Sequence, residues 1–393
     1  MKTNNKMKLS NIFLAAGALA ALTLTSCLSS DDETIALIAG SRTDIPSDSQ
    51  ATPNPEIFET TTSMPNIQYS TVDEDGTAVF RIDMTGIQDR NTLEWIRLAG
   101  TGERDQNVWV EIDDTPKGIK VYNTADDDDS KHNVPVDLVF LVDNSGSMSE
   151  EANAIARDIA DWATRLNAGS LDIRFGCVGY DGAITGAIGI TTAEELTEYL
   201  NRSGHSGTSR TVGFAGTDRQ INAYTSAAPS YRTGGGSSNE CGMAALRFAT
   251  DQFSFRRGAN RIFVNFTDEP NQPNGIAKFS VESLLTDWDT SLGTIHTVFS
   301  DGRETSKEYN AKMSEYTGGT VIYTNSSFSG VTLESLPVTD AMQNSYIIRL
   351  TNIEKYMDNK VHDLHITVLS PDKSVAVERN YNVIFTRKNE EDK

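Results

Sequence analysis

The sequence predicts an α/β protein in which a doubly wound, mostly parallel sheet is inserted in or flanked by a β-sandwich made of N- and C-terminal strands. Three observations lead to this fold class. Residues 136–142 are an almost unbroken apolar run, which is typical of a parallel strand covered on both faces. From there to residue 323, strand-like runs alternate with helix-like segments. Towards both ends of the chain, apolar and polar residues alternate with a period of two, which indicates half-buried strands.

The first 26 residues are predicted to be a lipoprotein signal peptide. They carry three lysines and no acid, followed by an apolar stretch too short to cross a membrane comfortably. The LTSC run at residues 24–27 resembles a bacterial lipobox, which would make Cys27 the lipidated N-terminus; the alternative is an ordinary signal with a chance cysteine. The acidic cluster behind Cys27 resembles the surface-export signal of Bacteroidetes lipoproteins. We therefore expect a lipid-anchored outer-membrane protein exposed at the cell surface, with a periplasmic orientation as second choice.

The charge balance excludes two classes of partner. Thirty-four Lys and Arg face 55 Asp and Glu, a net charge of −21. Removing the predicted signal peptide with its three lysines leaves 31 against 55, or −24. Nucleic-acid binding needs clustered Lys and Arg to neutralise phosphates, and electrostatic adhesion to anionic lipid needs the same. We therefore expect no nucleic-acid partner, and membrane contact only through the lipid anchor.

Two segments precede the predicted α/β domain. Residues 27–66 are predicted to be a flexible tether, because Ser, Thr, Asp and Pro dominate and no periodicity is sustained. Residues 67–130 form an N-terminal β segment, with clear alternation at 78–84 and 108–112. The four aspartates at 126–129 are interpreted as a solvated linker, because a calcium loop needs spaced ligands and a turn glycine.

The predicted α/β domain occupies residues 134–345. Open parallel sheets bind ligands at the carboxyl ends of their strands, so functional residues are expected in the loops at that edge. The predicted strands are 136–142, 173–180, 261–266, 294–299 and 320–323, and the predicted helices include 149–166, 193–200, 241–253 and 307–316.

The C-terminal β segment, residues 346–393, returns to a period of two. Neither this segment nor residues 67–130 contain enough strands for a stable sheet pair of their own. We therefore expect both segments to pack into one sandwich, with the α/β domain inserted between them.

The most informative motif follows the first parallel strand. Asp143, Ser145 and Ser147 alternate at i, i+2 and i+4 in the loop that leads into a helix. Oxygen-bearing side chains at this spacing can converge on one hard cation, and a carboxylate, two hydroxyls and water suit Mg²⁺. The same residue types are common helix caps, so the bare pattern leaves that alternative open.

Residues 134–345 resemble a von Willebrand factor A (VWA) domain. The run VDLVFLVDNSGSM at 136–148 is similar to the first strand and metal loop of that family. The resemblance implies a metal-ion-dependent adhesion site that holds Mg²⁺ or Mn²⁺. Asp143, Ser145 and Ser147 would supply three ligands, and a Thr before a helix and an Asp after the fourth strand would supply two more. It also implies that the ion keeps one coordination position for a partner, often for a carboxylate.

The same resemblance assigns the late acidic ligand. Residues 261–269 are similar to the apolar strand of the family that ends in Thr-Asp-Gly. Asp268 takes the acidic position, and Glu269 replaces the usual glycine. Glu269 is therefore expected at the rim of the site, where a partner would contact it.

The fifth ligand departs from the family pattern. Counting back from the predicted helix start at Gly242 points to Ser237, a serine where the family has threonine. Ser238 could share this role, and Thr233 is the outside alternative. Ser237 could instead form a capping box with Glu240.

Residues 181–232 form an unusually long Gly/Ser/Thr-rich connection that leaves the same edge of the sheet. This connection is expected to cover the edge of the sheet that carries the predicted metal site and to act as a specificity surface. The alternative is a tolerated surface insertion without a binding role. The predicted partner contacts within it are Arg202, His205 and Arg210, with Phe214 and Tyr224 as further candidates.

Other reactive residues are weaker candidates. Cys177 and Cys241 both lie near the proposed metal edge and could pair, or remain as two buried thiols. His362 and His365 are three apart in a strand, which puts them on opposite faces. The Asp/Ser loop has no His base nearby, and the sequence contains no G-x-S-x-G, H-E-x-x-H or Walker motif. We therefore expect a protein that is not an enzyme.

These features lead to one main functional hypothesis and one alternative. The main hypothesis is a surface-anchored lipoprotein that binds a protein or extracellular-matrix partner, through an acidic group, at the divalent metal. The alternative is a glycan-capture lipoprotein whose β-sandwich binds without metal. The alternative would use an aromatic platform that includes Trp95 and Trp109.

Overall fold

The computed structural model of the protein describes the chain in fourteen stretches. The predicted signal peptide at 1–26, Cys27 and most of the Asp126–Asp129 run lie outside them. The described residues are 42–57, 64–89, 92, 94–126, 135–149, 152–168, 172–201, 224–234, 239–256, 258–288, 292–300, 312–324, 338–370 and 376–386.

These residues form fourteen strands and five named helices. Residues 224–227 and 312–317 are also helical. None of the helices in the described stretches is long and apolar enough to cross a membrane. The strands are β1 Ile67–Glu74, β2 Thr77–Met84, β3 Val108–Ile112, β4 Thr115–Pro116, β5 Ile119–Asn123, β6 Val136–Asp143, β7 Ile173–Tyr180, β8 Ile184–Thr191, β9 Asn260–Thr267, β10 Thr294–Phe299, β11 Val321–Tyr323, β12 Tyr346–Leu350, β13 Val361–Leu369 and β14 Ala376–Ile384. The helices are α1 Ala152–Ala168, α2 Ala193–Leu200, α3 Gly242–Gln252, α4 Leu284–Asp287 and α5 Val338–Gln343.

The α/β part is built on a six-stranded sheet in the order β11-β10-β9-β6-β7-β8. Every pair is parallel except β7 with the edge strand β8. The central strand β6 is buried along its whole length. Its side chains alternate between two cores: Phe140 and Val142 pack with α1, α2 and α5, while Val139 and Leu141 pack with α3. Burial on both faces explains the apolar run and confirms the predicted doubly wound fold.

The remaining strands form two four-stranded sheets, β1-β2-β12-β5 and β14-β13-β3-β4. Each sheet mixes strands from before and after the α/β part, and one apolar core is shared between them. The strand that precedes the α/β part, β5, pairs antiparallel with the strand that follows it, β12, with Ile348 opposite Val121. Because entry and exit are neighbours in one sheet, the α/β part is an insertion in a sandwich.

Residues 42–57 of the predicted tether pack on the sandwich instead of running clear of it. Ile45 is buried. The Asp48 carboxylate accepts a hydrogen bond from the buried Lys117 Nζ at 2.6 Å. The Trp109 indole N–H donates to Thr52 Oγ1 at 3.1 Å. Composition predicted a mobile chain here, but a buried lysine needs a nearby anion, and Asp48 supplies it.

The connection predicted at 181–232 is also more regular than its composition indicated. Residues Ile184–Thr191 form the edge strand β8, antiparallel to β7, and α2 follows as predicted. Glycines and threonines in this stretch suggested a loop, but pairing with a buried neighbour strand outweighs weak strand propensity.

Candidate metal centre

Three strand ends meet at the carboxyl edge of the six-stranded sheet. Asp143 ends β6 and lies directly beside Tyr180, which ends β7. Thr267 ends β9, on the other side of β6. After Asp143 the chain turns through Ser147–Ser149, a short 3-10 helix, into α1. The loop that carries Asp143, Ser145 and Ser147 therefore lies between the ends of β7 and β9, the two strands that flank β6.

The structure brings four of the five predicted ligands together. The Ser145 and Ser147 hydroxyl oxygens are 2.9 Å apart. Ser147 Oγ donates to Asp268 Oδ1 at 3.1 Å, which joins the loops after β6 and β9. The Ser145 backbone N–H donates to Asp143 Oδ1 at 2.9 Å. Asp143 and Ser145 are buried, Asp268 is partly buried and Ser147 is exposed, so the cluster has a closed floor and an open rim.

The electrostatics of Asp143 indicate what this cluster can bind. Burial raises the pKa of Asp143 to about 7, and the nearby Asp268 charge adds to the rise. Hydrogen bonds from the Ser145 N–H and the Thr267 hydroxyl oppose the rise. Within the described stretches, no Lys, Arg or His forms an ion pair with Asp143. A buried carboxylate without a counter-charge is stabilised by a cation, so this residue set fits a divalent ion.

The rim of the cluster is also acidic. Glu240 is buried, and its pKa is raised by burial and by the charges of Glu269, Asp268 and Asp181. Burial likewise raises the pKa of Asp181. No three Asp, Glu, His or Cys side chains in the described part of the chain cluster closely enough to hold an ion by themselves. An ion held here would therefore depend on the serine hydroxyls as well, and an all-oxygen donor set suits hard cations such as Mg²⁺.

The fifth ligand is not located among the described residues, since Ser237 and Ser238 lie outside them. The capping-box alternative for Ser237 also lies outside the described residues; the described helix α3 begins at Gly242, with Cys241 as its N-cap. The outside alternative, Thr233, is buried, and its hydroxyl donates to the backbone oxygen of Asn239 at 2.9 Å.

Only two of the predicted partner contacts, Tyr224 and Glu269, lie among the described residues. Arg202, His205, Arg210 and Phe214 lie outside the described residues. Tyr224 packs inward, with its ring centroid 5.7 Å from that of Phe248 and 5.5 Å from that of Phe253. Its ring is therefore packed against the core on the α3 side of the sheet and is only partly exposed. Glu269 is partly buried at the rim, where the resemblance placed it.

The two cysteines do not pair. Cys177 belongs to the core beneath α1 and α2, and Cys241 belongs to the core on the α3 side of the sheet. Both are buried and free of disulfides. Burial raises the pKa of the Cys241 thiol to about 12, so both side chains behave as small apolar groups.

The two tryptophans proposed for a glycan platform lie apart. Trp109 is on the outer face of β3, where Thr52 covers its indole N–H. Trp95 packs against Gly86, which follows β2 in the other sheet. The histidines are separate as well: His362 bonds Asp113 and Asp358, and His365 contacts Glu111, Glu378 and Asn54 on the opposite face of the strand.

Three buried polar residues beneath the Asp143–Ser147 loop were not predicted from the sequence: Tyr180, Asn265 and Thr267. Thr267 Oγ1 donates to Asp143 Oδ2 at 2.8 Å. The signal that could have found them is Asn265, a polar residue that interrupts the apolar run Ile262–Phe266 of β9. Polar groups at such positions need hydrogen-bond partners, which the sequence does not identify.

No protein-family model matches the chain, and no curated protein matches it. Solved structures similar to the chain include a conserved hypothetical protein, BatB from Bacteroides thetaiotaomicron, at 13% identity over 52% of this chain and 98% of that one, with a TM-score of 0.34. The pilus adhesin SpaC from Lactobacillus rhamnosus GG, in an open conformation, is 10% identical over 80% of this chain and 46% of that one, with a TM-score of 0.34. A von Willebrand factor type A protein from Catenulispora acidiphila is 10% identical over 84% and 76%, with a TM-score of 0.33. These likenesses are distant, and the chemistry of the site rests on the residues of this chain.

Proposed function

We propose that the protein is a surface-anchored lipoprotein that binds a protein or extracellular-matrix partner through a divalent ion at the metal centre. The observation that carries this proposal is Asp143. It is a fully buried carboxylate with no cationic partner in the described part of the chain, and three further side-chain oxygens stand beside it. Such an arrangement is costly without a cation and favourable with one.

Asp143, Ser145, Ser147 and Asp268 would hold Mg²⁺ or Mn²⁺, with Ser237 as the proposed fifth ligand. When bound, the ion supplies positive charge and a coordination position for an acidic group of the partner. The rim carries Glu240 and Glu269, and the mature chain carries a net charge of −24, so without an ion an acidic partner would be repelled. Binding of an acidic partner should therefore require the metal.

The proposal includes no catalytic step. The hydroxyls of Ser145 and Ser147 contact each other, and that of Ser147 donates to Asp268. In the described stretches neither contacts a His or Lys that could act as a base. The lipid anchor at Cys27 and the surface location are part of the same proposal. They rest on the resemblance of the N-terminal sequence to exported lipoproteins.

The test is a screen of immobilised matrix proteins and glycans with the full chain, with and without EDTA. We expect binding to a protein ligand that EDTA abolishes and Mn²⁺ restores, and that Asp143→Ala removes. Asp126→Ala is the matched control, because it deletes the same charge at an exposed position on the sandwich. Undiminished binding by the Asp143→Ala variant would falsify the metal-bridged mechanism, and EDTA-resistant glycan binding would favour the glycan-capture alternative.

A further inference from the structure

A cluster of buried polar side chains lies directly beneath the metal loop. Tyr180, Asn265 and Thr267 are each at most 2% exposed. They sit at the ends of β7 and β9, strands that are otherwise largely apolar. Polar groups buried in a sheet destabilise the fold unless they are hydrogen-bonded, and here the Tyr180 hydroxyl donates to Asn265 Oδ1 at 2.7 Å. The polar groups of this cluster therefore have hydrogen-bond partners, and the residues that they contact indicate their role.

The Thr267 hydroxyl connects the two loops that carry the acidic ligands. It donates to Asp143 Oδ2 at 2.8 Å and accepts from the Glu269 backbone N–H at 3.1 Å. Because Glu269 follows Asp268 in the chain, a single hydroxyl links the Asp143 loop to the Asp268 loop. A hydroxyl can donate one bond and accept another, and no apolar side chain can replace both.

The Tyr180–Asn265 pair lies beside this hydroxyl and extends the network to the start of α3. The Tyr180 hydroxyl also lies near the Thr267 hydroxyl. Gly242 at the start of α3 rests on the pair: a Cβ added there would lie 3.0 Å from Asn265 Oδ1 and 3.2 Å from Tyr180 Oη. The network therefore reaches from the ends of β7 and β9 to the start of α3, the helix that follows the loop containing Ser237.

We propose that Thr267 is a positioning residue of the metal centre, held from below by Tyr180 and Asn265. It sets the separation and orientation of Asp143 and Asp268, so the affinity for a divalent ion depends on a hydroxyl that is not itself a ligand. Partners of this kind orient ligands, and their loss typically weakens metal binding about 10–100-fold. This inference rests on the proposed function, because it presupposes that the centre binds an ion.

The experiment measures the Mn²⁺ dissociation constant of the full chain by calorimetry and by the Mn²⁺ electron paramagnetic resonance signal. Thr267→Val keeps the shape of the side chain and removes the hydroxyl, and we expect its dissociation constant to rise about 10–100-fold. Thr267→Ser restores the hydroxyl and should return the constant to near the wild-type value. Rescue by serine separates a positioning role from a packing role.

Thr317→Val is the matched control. Thr317 is also buried, and its hydroxyl accepts from the Ile295 N–H at 2.9 Å and donates to the Met313 carbonyl at 3.2 Å. Ile295 is near the amino end of β10, away from the metal edge. The control therefore loses comparable hydrogen bonds in the same domain, and its Mn²⁺ affinity should stay at the wild-type value.

The possible outcomes distinguish failure of the positioning role from failure of the proposed function. If the wild-type chain does not bind Mn²⁺, the proposed function itself is overturned. If the wild type binds and Thr267→Val binds equally well, the function stands and the positioning role is overturned. If circular dichroism shows that Thr267→Val is unfolded, Tyr180→Phe carries the test. Loss of its one hydroxyl should weaken binding by roughly twofold to tenfold, and unchanged affinity would overturn the inference.

Discussion

The buried pair of Lys117 and Asp48 yields the sharpest stability prediction. Lys117 Nζ is wholly buried and lies 2.6 Å from Asp48 Oδ2, while the Gly118 N–H donates to Asp48 Oδ1 at 3.2 Å. Removing one partner of a buried ion pair costs about 3–5 kcal/mol, because the other charge is left uncompensated. The Asp48→Ala variant should therefore be clearly destabilised.

The expected magnitude is smaller than that range for two reasons. The Asp48 side chain is 31% exposed, so water can reach the space that it vacates. Lys117 Nζ also keeps the Asn352 carbonyl at 3.1 Å and the Tyr356 ring at 5.8 Å. We therefore expect Asp48→Ala to lower the free energy of unfolding by about 2–3 kcal/mol, measured by urea denaturation with tryptophan fluorescence.

Asp126→Ala is the control for this measurement. The Asp126 carboxylate lies 2.6 Å from Arg97, the same distance as in the buried pair, but both side chains are largely exposed. Exposed pairs contribute roughly 0–1 kcal/mol, so this variant should change little. If Asp48→Ala is no more destabilised than Asp126→Ala, residues 42–57 do not pack on the sandwich in solution and the reasoning is refuted.

Three further predictions follow from the same structure. Mn²⁺ at about 100 times its dissociation constant should stabilise the wild-type chain by about 2.7 kcal/mol in thermal unfolding, and Asp143→Ala should abolish the shift; a shift that survives this substitution would place the ion elsewhere. Burial lowers the pKa of His362, but hydrogen bonds to Asp113 and Asp358 outweigh it and raise the pKa above 6.5 overall. The stabilisation that protonated His362 provides through Asp113 and Asp358 is therefore complete below pH 6.5, and it is lost as the pH rises through the raised pKa of His362. His362→Gln should lower the free energy of unfolding more at pH 6 than at pH 9, and equal effects at both pH values would contradict these ion pairs. Gly319→Ala would place a Cβ 1.8 Å from the Ile295 carbonyl oxygen and should destabilise by more than 2 kcal/mol, whereas the same change at Gly146, which has open space around it, should have little effect on urea denaturation.

The fold was largely predictable because its signals are local. Continuous burial of β6 produces a continuous apolar run, and one buried face in the sandwich strands produces a period of two. Asp143, Ser145 and Ser147 could be singled out for the same reason, since they alternate within five residues. Their proximity to Asp268 was expected from the resemblance and from the rule that parallel strands end at one edge.

The positioning network could not be predicted from the sequence. Tyr180, Asn265 and Thr267 come from two strands that are about 85 residues apart in the chain, and nothing local marks them as partners. The packing of residues 42–57 was missed for a related reason. Composition reflects only the average tendency of a segment, whereas Asp48 is held by Lys117 and the Gly118 N–H, 69 and 70 residues further along the chain.

The sequence alone determined the doubly wound sheet, the division of the sandwich strands between both ends of the chain, and the oxygen-rich loop after β6. Each of these follows from residue patterns within a few positions of one another. Tertiary structure alone decided three other features. It showed that β5 and β12 pair with each other where the chain enters and leaves the inserted α/β part, that Asp143 is buried without a cationic partner among the described residues, and that Thr267 joins two loops. These three features depend on which distant segments of the chain come into contact. Close packing of the folded chain decides those contacts, and local propensity does not.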